Sequence, residues 1–421
     1  MALQRIAFLS VHASPLAMPG SGKAGGMNVY VRELAQEFGR RGILVDIYTR
    51  CNAPDEPQVD RSLGENVRVI SVQAGAPQPL PPDDIYAHLS QFTAGVIAFT
   101  TRFDLHYDVV YSHYWLSGWV AHKLNEVWGT PFAHMFHTLG QMKNRIAQHK
   151  PATMPDVRIN VEMRIVQWAA RLIAATPAEQ LQLLWLYRAD RRKIQVVPPG
   201  VNTERFYPVP ADRACALLGL PAATNLLLFV GRLEPLKGVD TILNALMVLR
   251  ERDPGVMANT RFLVIGGSIG ERAEPEFLRL RKLVSDMQLE HVVEFLGAKG
   301  QEMLPLYYAA ATAVIMASDY ESFGMVALEA MASGAPVIAS EVGGLAFLVQ
   351  EGKTGFLVPV REPNVLAEHI ARLSKDVQLR QTMRSAAAKQ ARQYAWPLIA
   401  DQLLATFEEI TLKPQLIRHM H

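Results

Sequence analysis

The chain has 421 residues, of which 49% are hydrophobic and 19% charged, and its formal net charge is +2. A chain of this length exceeds one ordinary hydrophobic core and predicts two domains of roughly 200 residues each. The nearly neutral charge argues against nucleic-acid binding. The two cysteines, Cys51 and Cys215, are too few for a disulfide framework or a metal-ligand cluster, and they favour a cytoplasmic protein.

Residues 1–10 contain a short apolar run but lack the longer apolar core and the small-residue cleavage site of a signal peptide. The sequence also contains no run of about 18 apolar residues, so we expect no transmembrane helix. These patterns leave open whether the protein binds a membrane surface.

Short apolar runs alternate with longer amphipathic stretches along both halves of the chain, and this alternation predicts βαβ units with parallel sheets. The predicted strands are residues 6–9, 45–48, 67–70, 109–111, 132–136 and 172–175, then residues 226–230, 262–265, 292–296, 313–316 and 337–339. The helical stretches between them include residues 28–41 and 85–101. The connector Pro198-Pro199-Gly200 divides a first domain, residues 1–197, from a second domain, residues 198–395.

A glycine-rich loop lies between the first predicted strand and the first predicted helix. It contains Gly20, Gly22, Gly25 and Gly26, and such a loop lets backbone N–H groups approach an anion at the helix N-terminus. The spacing matches the G-x-G-x-x-G pattern of dinucleotide-binding proteins. No acidic residue follows the second strand to hold a ribose, because residues 51–52 are cysteine and asparagine. NAD is therefore not expected.

Two basic residues flank a turn in the second half of the chain. Arg232 and Lys237 lie at the carboxyl end of the predicted strand 226–230. Open α/β sheets bind ligands at this edge. Two cations beside a helix N-terminus make a suitable clamp for a diphosphate.

Two glutamates flank the start of a predicted helix over residues 324–333. Glu321 precedes the helix and Glu329 lies within it, and the strand 313–316 comes before both. The backbone amides of Phe323 and Gly324, at the helix N-terminus, would point towards an anion. Strand, Glu-Ser-Phe-Gly and second glutamate together form a more specific signal than either carboxylate alone.

These motifs resemble the donor site of retaining glycosyltransferase family 4. The resemblance rests on Glu-Ser-Phe-Gly-Met-Val-Ala-Leu-Glu at residues 321–329 and Gly-Arg-Leu-Glu-Pro-Leu-Lys-Gly at residues 231–238. The first half adds Gly-Gly-Met-Asn-Val-Tyr-Val at 25–31, Ser-His-Tyr-Trp-Leu-Ser-Gly at 112–118 and Phe-His-Thr-Leu at 136–139. Within the family, the chain looks most similar to the inositol-phosphate N-acetylglucosaminyltransferases of the mycothiol pathway, and more distantly to sucrose and sucrose-phosphate synthases.

The resemblance implies a GT-B fold, an α/β architecture in which two Rossmann-like domains face across a cleft. It implies that the second domain binds the donor and the first domain the acceptor, and that residues 396–421 return to the first domain. The implied catalytic residues are His137, Arg232, Lys237 and Glu321. The implied donor-binding residues are Gly25, Gly26, Arg232, Lys237, Glu321, Phe323, Gly324 and Glu329, with the diphosphate on the two cations and the ribose on Glu329.

The resemblance also implies an acceptor site in the first domain. Its residues are His12, Asn28, Tyr114, Thr138 and Arg158. Arg158 could grip a phosphate through two bonds. The family's phosphate-binding lysine is replaced by Pro82, which carries no charge and no donor. We therefore expect the acceptor to be a sugar phosphate other than inositol phosphate, or a neutral sugar.

The expected reaction is transfer of a hexose or N-acetylhexosamine from a nucleotide sugar, with UDP as the expected nucleotide, to a small sugar, sugar phosphate or polyol. Retention by front-face attack is expected, with the donor diphosphate taking the acceptor's proton. No D-x-D motif or metal-ligand spacing is present, so we expect no metal and no cofactor beyond the co-substrate. The alternatives are a sucrose or sucrose-phosphate synthase, an epimerase or phosphorylase on the same architecture, and an inactive nucleotide-sugar-binding protein.

Overall fold

The computed structural model describes residues 3–17, 25–146, 156–221, 224–269 and 273–418. The chain divides into two compact units. The first unit contains the residues up to Ala17, Met27–Pro198 and the chain from Trp396, and the second unit contains Pro199–Ala395. Gly25 and Gly26 group with the second unit.

The first unit is built on a mostly parallel sheet. Its described residues form eight strands: β1 (Arg5–Leu9), β2 (Leu44–Arg50), β3 (Val59–Asp60), β4 (Val67–Val72), β5 (Val109–His113), β6 (Phe132–Met135), β7 (Arg171–Ala174) and β8 (Ile194–Val196). Their order across the sheet is β3-β4-β2-β1-β5-β6-β7-β8, and β3 pairs antiparallel with β4. The central β1 is apolar and buried from Ile6 to Leu9, as expected of a strand covered by helices on both faces.

Helices connect these strands and cover the sheet. They are α1 (Gly26–Arg40), α2 (Pro82–Tyr86), α3 (Leu89–Arg102), α4 (Tyr114–Trp128), α5 (Gly140–Ile146), α6 (Asp156–Trp168) and α7 (Pro177–Tyr187). A short 3-10 helix, Arg191–Lys193, follows α7. The start of α7 is fixed locally, because Thr176 Oγ1 accepts a hydrogen bond from Glu179 N and Pro177 occupies the first turn.

The second unit is a separate parallel sheet. Its described strands are β9 (Asn225–Val230), β10 (Thr260–Ile265), β11 (Val293–Gly297), β12 (Ala313–Met316), β13 (Val337–Ser340) and β14 (Gly355–Val358), in the order β11-β10-β9-β12-β13-β14. Its helices are α8 (Ala211–Leu218), α9 (Val239–Arg252), α10 (Pro254–Ala258), α11 (Pro275–Asp286), α12 (Leu304–Ala310), α13 (Met325–Ala332), α14 (Gly343–Leu348), α15 (Pro363–Lys375) and α16 (Val377–Ala391). Two short 3-10 helices, Pro235–Lys237 and Arg392–Tyr394, complete it.

The last helix, α17 (Trp396–Arg418), packs on the first unit. Its Trp396 ring lies 5.5 Å from the ring of Tyr30 in α1, and Phe407 lies 6.2 Å from Phe38 of the same helix. Arg171 Nη2 also donates to Glu409 Oε2 at 2.7 Å. Aromatic packing and ion pairs therefore join this distant segment to the core of the first unit.

The predicted fold class is confirmed, since each unit is a parallel-sheet α/β domain. The predicted single helix over residues 85–101 is wrong. The chain leaves helical geometry at His88, where α2 and α3 meet, and the His88 ring occupies the space that a Cβ at Gly75 would need. Strands β3, β8 and β14 were not predicted, because β3 has two residues and β8 has three, and β14 is a short edge strand that begins with glycine.

Candidate active site

Two adjacent strands of the first unit end in strained backbone. Tyr114, directly after β5, has φ = 73°, and His137, two residues after β6, has φ = 59°. Left-handed conformations at residues other than glycine are uncommon and cost about 1–3 kcal/mol each. Strain of this kind persists only where the surroundings fix the residue, and it is concentrated at functional sites. Both residues belong to the predicted site.

The surroundings of Tyr114 are organised by Arg158 of α6, which is only 2% exposed. Its Nη1 donates to Tyr114 Oη at 3.0 Å, and its Nη2 donates to the carbonyl oxygen and to Oγ1 of Thr138 at 2.8 and 3.1 Å. The structure therefore brings three of the predicted acceptor residues together. Both terminal nitrogens of the guanidinium donate to protein groups here, and the two-bond grip on a phosphate stays a prediction.

Glu162 neutralises this arginine and was not singled out in the sequence. It is fully buried, and its Oε1 accepts from Arg158 Nε at 2.7 Å. Its Oε2 accepts from Gly140 N at 3.0 Å and from Tyr187 Oη at 2.5 Å. Burial acts to lower the pKa of Arg158, but Tyr114 and Glu162 outweigh it and raise that pKa, so the guanidinium stays charged. The i, i+4 spacing of Arg158 and Glu162 was the signal available in the sequence.

Gly140 lies close to the same network. A Cβ at this position would lie 3.0 Å from Glu162 Oε2 and 3.2 Å from Arg158 Nε. A larger residue would therefore press on the ion pair, and the Glu162 and Arg158 side chains would have to shift by a few tenths of an ångström.

A group of histidines lies beside the strained positions. His113 Nδ1 and His137 Nε2 are 3.1 Å apart, and the His12 ring lies 4.3 Å from the Tyr114 ring. Burial, followed by the nearby His12, lowers the pKa of His137 to about 3. Burial likewise places the pKa of His113 well below its usual value. The imidazoles of His113 and His137 are therefore neutral at physiological pH.

The remaining predicted residues of the first half are distributed around the start of α1. Asn28 is buried, and its Nδ2 donates to the Ser14 carbonyl oxygen at 2.8 Å, which ties α1 to the segment after β1. Gly26 is the first residue of α1 and Gly25 precedes it. Gly20 and Gly22 of the predicted loop lie outside the described residues.

The Ser117-Gly118 part of the family motif serves packing. Ser117 Oγ accepts a hydrogen bond from Val11 N at 3.1 Å. A Cβ at Gly118 would lie 2.5 Å from Ile165 Cδ1 and 2.8 Å from His134 Cε1. These two residues hold α4 close to the sheet and make room for a buried histidine.

The first turn of α2 begins at Pro82, where the family lysine was expected, and continues with Asp83 and Asp84. Burial raises the pKa of Tyr114, Arg158 lowers it, and the Asp83 carboxylate makes a smaller contribution that raises it. This turn therefore carries a negative charge that acts weakly on the Tyr114 hydroxyl, where a lysine would carry a positive one.

In the second unit, the two predicted cations are each paired with a carboxylate. Lys237 Nζ lies 2.5 Å from Glu321 Oε2, and Arg232 Nη1 lies 2.6 Å from Glu234 Oε1. Asp319 N donates to the Leu236 carbonyl oxygen at 2.9 Å, so the loops after β12 and β9 are joined. The structure thus brings Lys237 and Glu321 together at the carboxyl ends of neighbouring strands.

Gly238 makes this approach feasible. It has φ = 67°, and a Cβ there would lie 2.0 Å from the Ala317 carbonyl oxygen. No other residue fits a left-handed position with backbone at that distance without displacing it.

A glycine pair, Gly343-Gly344, contacts the Glu321 loop, and sequence analysis did not identify it. Gly344 N donates to the Glu321 carbonyl oxygen at 3.0 Å. A Cβ at Gly343 would lie 2.1 Å from that oxygen, and a Cβ at Gly344 would lie 2.1 Å from Phe323 Cα. The signal in the sequence was a glycine pair shortly after a predicted strand.

Glu329 of α13 is buried, with an exposed fraction of 7%. Its Oε2 accepts from Tyr308 Oη at 3.0 Å. The helix begins after Gly324, which has φ = 100° and lies close to Leu345. Of the charged residues predicted to bind the donor, Glu329 is therefore the one most enclosed by the protein.

Within the described residues, no helix is both long and apolar enough to cross a membrane. The same part of the chain contains no group of three or more His, Cys, Asp or Glu side chains that could hold a metal ion.

Comparison with known proteins agrees with these observations. Residues 24–205 match the family model described as Glycosyltransferase Family 4, and residues 217–390 match the model described as Glycosyl transferases group 1. A D-inositol 3-phosphate glycosyltransferase of Actinosynnema mirum is 42% identical over 96% of this chain and 97% of the relative. One of Corynebacterium glutamicum is 38% identical over 96% of both chains.

Among solved structures, the sucrose-phosphate synthase of Thermosynechococcus elongatus is 35% identical, with a TM-score of 0.89 over 97% of this chain and 100% of that one. The two family models together include residues 25–31, 112–118, 136–139, 231–238 and 321–329, which carry the motifs of the resemblance. The chain therefore belongs to glycosyltransferase family 4 and is a glycosyltransferase.

Proposed function

We propose that this glycosyltransferase transfers a hexose or N-acetylhexosamine from a UDP-linked donor to a small phosphorylated sugar or polyol. The transfer retains the anomeric configuration and uses no metal ion. The similar proteins act, by their names, on D-inositol 3-phosphate or make sucrose phosphate, so both kinds of relative handle a phosphorylated compound.

The observation that carries the acceptor class is the set of bonds around Arg158. The Tyr114 and Thr138 hydroxyl oxygens both accept from the guanidinium. Each hydroxyl then has its own proton left to donate. Two polarised O–H donors in front of a buried cation form a preorganised site for an anion, and charge-assisted hydrogen bonds of this kind are stronger than neutral ones. A phosphate would thus bind to the hydroxyls, with Arg158 behind them.

The donor side of the proposal depends on Arg232, Lys237 and Glu321. Arg232 and Lys237 would stabilise the negative charge that develops on the leaving diphosphate. Glu321, already held beside Lys237, would accept hydrogen bonds from hydroxyl groups of the sugar. Glu329 would hold the ribose hydroxyls, with Tyr308 orienting its carboxylate.

For the chemical step we propose attack on the face from which the diphosphate leaves. The C1–O bond to the diphosphate breaks, the acceptor oxygen bonds to C1, and the acceptor's proton passes to a diphosphate oxygen. The low pKa of His137 disfavours it as the base for this proton, and none is needed when the leaving group accepts it.

The α2 turn favours an acceptor other than inositol phosphate. Pro82 supplies no charge, and Asp83 adds a negative one near the Tyr114 hydroxyl. Among phosphorylated acceptors, fructose 6-phosphate, as in a sucrose-phosphate-synthase-type reaction, is therefore the specific candidate besides inositol phosphate.

The test is a panel in which UDP-glucose and UDP-N-acetylglucosamine are each offered with inositol phosphate, fructose 6-phosphate, fructose and glycerate, with and without EDTA. We expect the kcat/KM of one phosphorylated acceptor to be at least tenfold higher than that of any neutral acceptor. The reason is that a hydrogen bond to a charged group contributes about 1.5–3 kcal/mol, and about 1.4 kcal/mol corresponds to a factor of ten. EDTA should leave the rate unchanged, and proton NMR should show a product anomer of the donor's configuration.

Equal use of fructose and fructose 6-phosphate would contradict the phosphate site. Conversion of the donor without any acceptor would indicate an epimerase or hydrolase instead. Binding of UDP without turnover of any pair would indicate a nucleotide-sugar-binding protein.

A further inference from the structure

The imidazole of His113 has an unequal environment at its two nitrogens. Nδ1 lies 3.1 Å from His137 Nε2, whereas Nε2 is buried and has no hydrogen-bond partner among the described residues. The ring is enclosed by aromatic side chains, with Tyr111 at 4.2 Å, Phe8 at 5.4 Å and Tyr30 at 5.6 Å between ring centroids. His113 itself is fully buried.

Because both rings are neutral, only one of the two facing nitrogens, His113 Nδ1 or His137 Nε2, carries the proton of this hydrogen bond. Either His113 Nδ1–H donates to His137 Nε2, or His137 Nε2–H donates to His113 Nδ1. The second arrangement leaves a buried N–H of His113 without an acceptor. Orphaned buried N–H groups are rarer than under-satisfied acceptors, because each such group loses its hydrogen bonds to water without a replacement. The first arrangement leaves only a bare acceptor at that place.

A neighbouring histidine shows that this core holds a bare Nε2. Ser112 Oγ donates its single proton to the Ala133 carbonyl oxygen at 3.1 Å. It must therefore accept from His134 Nδ1, which lies 2.8 Å away. His134 then carries its proton on Nδ1, and its Nε2 is likewise buried and without a partner among the described residues. The same tautomer thus satisfies His134 and His113.

We propose that His113 is a positioning residue that donates Nδ1–H to His137 Nε2 and so keeps His137 as the tautomer protonated on Nδ1. The described part of the chain makes no hydrogen bond to His137 Nδ1. That N–H is therefore available to donate to an oxygen of the bound sugar. This inference rests on the proposed function for the role of His137, but not for its tautomer.

The strained backbone of His137 fits this arrangement. With φ = 59°, the residue is held by its contacts rather than by local preference. The bond to His113 and the edge of the Tyr30 ring, 5.2 Å away, both fix the orientation of the imidazole. Loss of the bond would free both the tautomer and the ring.

The direct test is the imidazole ¹⁵N spectrum of the full-length, histidine-labelled protein, with His137 assigned by its loss in His137→Asn. We expect a protonated Nδ1 and an unprotonated Nε2 for His137. The opposite pattern would overturn the proposal. This measurement needs no activity, so it remains decisive if the proposed glycosyl transfer fails.

The kinetic test compares His113→Asn, whose amide can donate from about the position of Nδ1, with His113→Phe, which fills the space without a donor. We expect kcat to fall about 10- to 100-fold in His113→Phe, with the KM for the donor within twofold. His113→Asn should stay within fivefold of the wild type. His122→Phe, which replaces a partly exposed imidazole stacked on Trp168, is the matched control and should be unaffected.

Equal losses in His113→Asn and His113→Phe would overturn the positioning role, as would an unchanged kcat in His113→Phe. If His113→Phe does not fold, the tautomer of His137 in the wild-type protein and in His113→Asn still decides the question.

Discussion

In the first unit, the polar groups at the sheet edge are buried and bonded to one another, so that Arg158 is 2% exposed and Glu162 is fully buried. In the second unit, the side chains of Arg232 and Lys237 are 39% and 20% exposed, and each is paired with a single carboxylate. The ion pair of the first unit is enclosed by the protein, whereas the ion pairs of the second unit are partly exposed and accessible to a ligand. Substitutions in the first unit should therefore affect folding as well as binding, and those in the second unit mainly turnover.

The strongest way to test this difference is Glu162→Gln. The substitution leaves the buried Arg158 without a counter-charge, and loss of one partner of a buried ion pair costs about 3–5 kcal/mol. We expect the first unit to unfold at a clearly lower urea concentration, followed by circular dichroism and by tryptophan fluorescence.

Glu126→Gln is the matched control, because Glu126 is paired with Lys123 on the exposed surface of α4. It should leave the urea midpoint nearly unchanged. Equal stability of Glu162→Gln and the wild type would show that the network is not structural.

The corresponding change in the second unit is Lys237→Ala or Arg232→Ala. Each should lower kcat at least 100-fold, since an electrostatic contact to a leaving group in a partly dry site contributes about 3 kcal/mol. The urea midpoint should change little. Steady-state kinetics with the best donor and acceptor provide the measurement.

Lys282→Ala serves as the control, since Lys282 forms an exposed pair with Asp286 on α11. Turnover in both clamp variants close to that of Lys282→Ala would refute the assignment of the diphosphate site.

The acceptor hydroxyls provide an intermediate effect. Tyr114→Phe and Thr138→Val remove the proposed O–H donors while keeping side-chain shape. We expect each to raise the KM for a phosphorylated acceptor about tenfold, which corresponds to about 1.4 kcal/mol, with little change for a neutral acceptor. A uniform increase for both kinds of acceptor would indicate a general disturbance and not a phosphate contact.

The smallest effect is expected at α2. Asp83→Asn removes a negative charge near Tyr114, and phosphorylated acceptors should then bind a few-fold more tightly at low salt, an effect that weakens as salt is added. Asp84→Asn in the same turn is the comparison. If the two variants behave alike, the position of Asp83 has no special importance.

The two units also differ in what the sequence revealed. In the second unit, Arg232 and Lys237 stand in one short motif and Glu321 in another, and strand ends in a parallel sheet bring such motifs together. In the first unit, the tautomer of His137 depends on His113 and on a ring of aromatic side chains, which only the folded sheet assembles. The strand alternation was enough for the fold class, because buried parallel strands read as continuous apolar runs.

What the sequence did not provide were the groups that act through another residue. Glu162 acts by stabilising the charged form of Arg158. Gly343-Gly344 acts by allowing the Glu321 loop to lie against the start of α14. Their roles depend on distances of a few ångströms between segments far apart in sequence. A lone glutamate or glycine pair has too many ordinary uses to indicate such a role by itself.

The return of α17 to the first unit has a consequence for synthesis on the ribosome. Tyr30 and Phe38 emerge early, but the Trp396 and Phe407 rings that cover them are translated only after residues 199–395 of the second unit. The apolar surface of the nascent first unit therefore stays uncovered while the second unit is translated. Domains generally fold in the order of their synthesis, and uncovered apolar surface invites aggregation. Here the unit that is begun first is the one completed last.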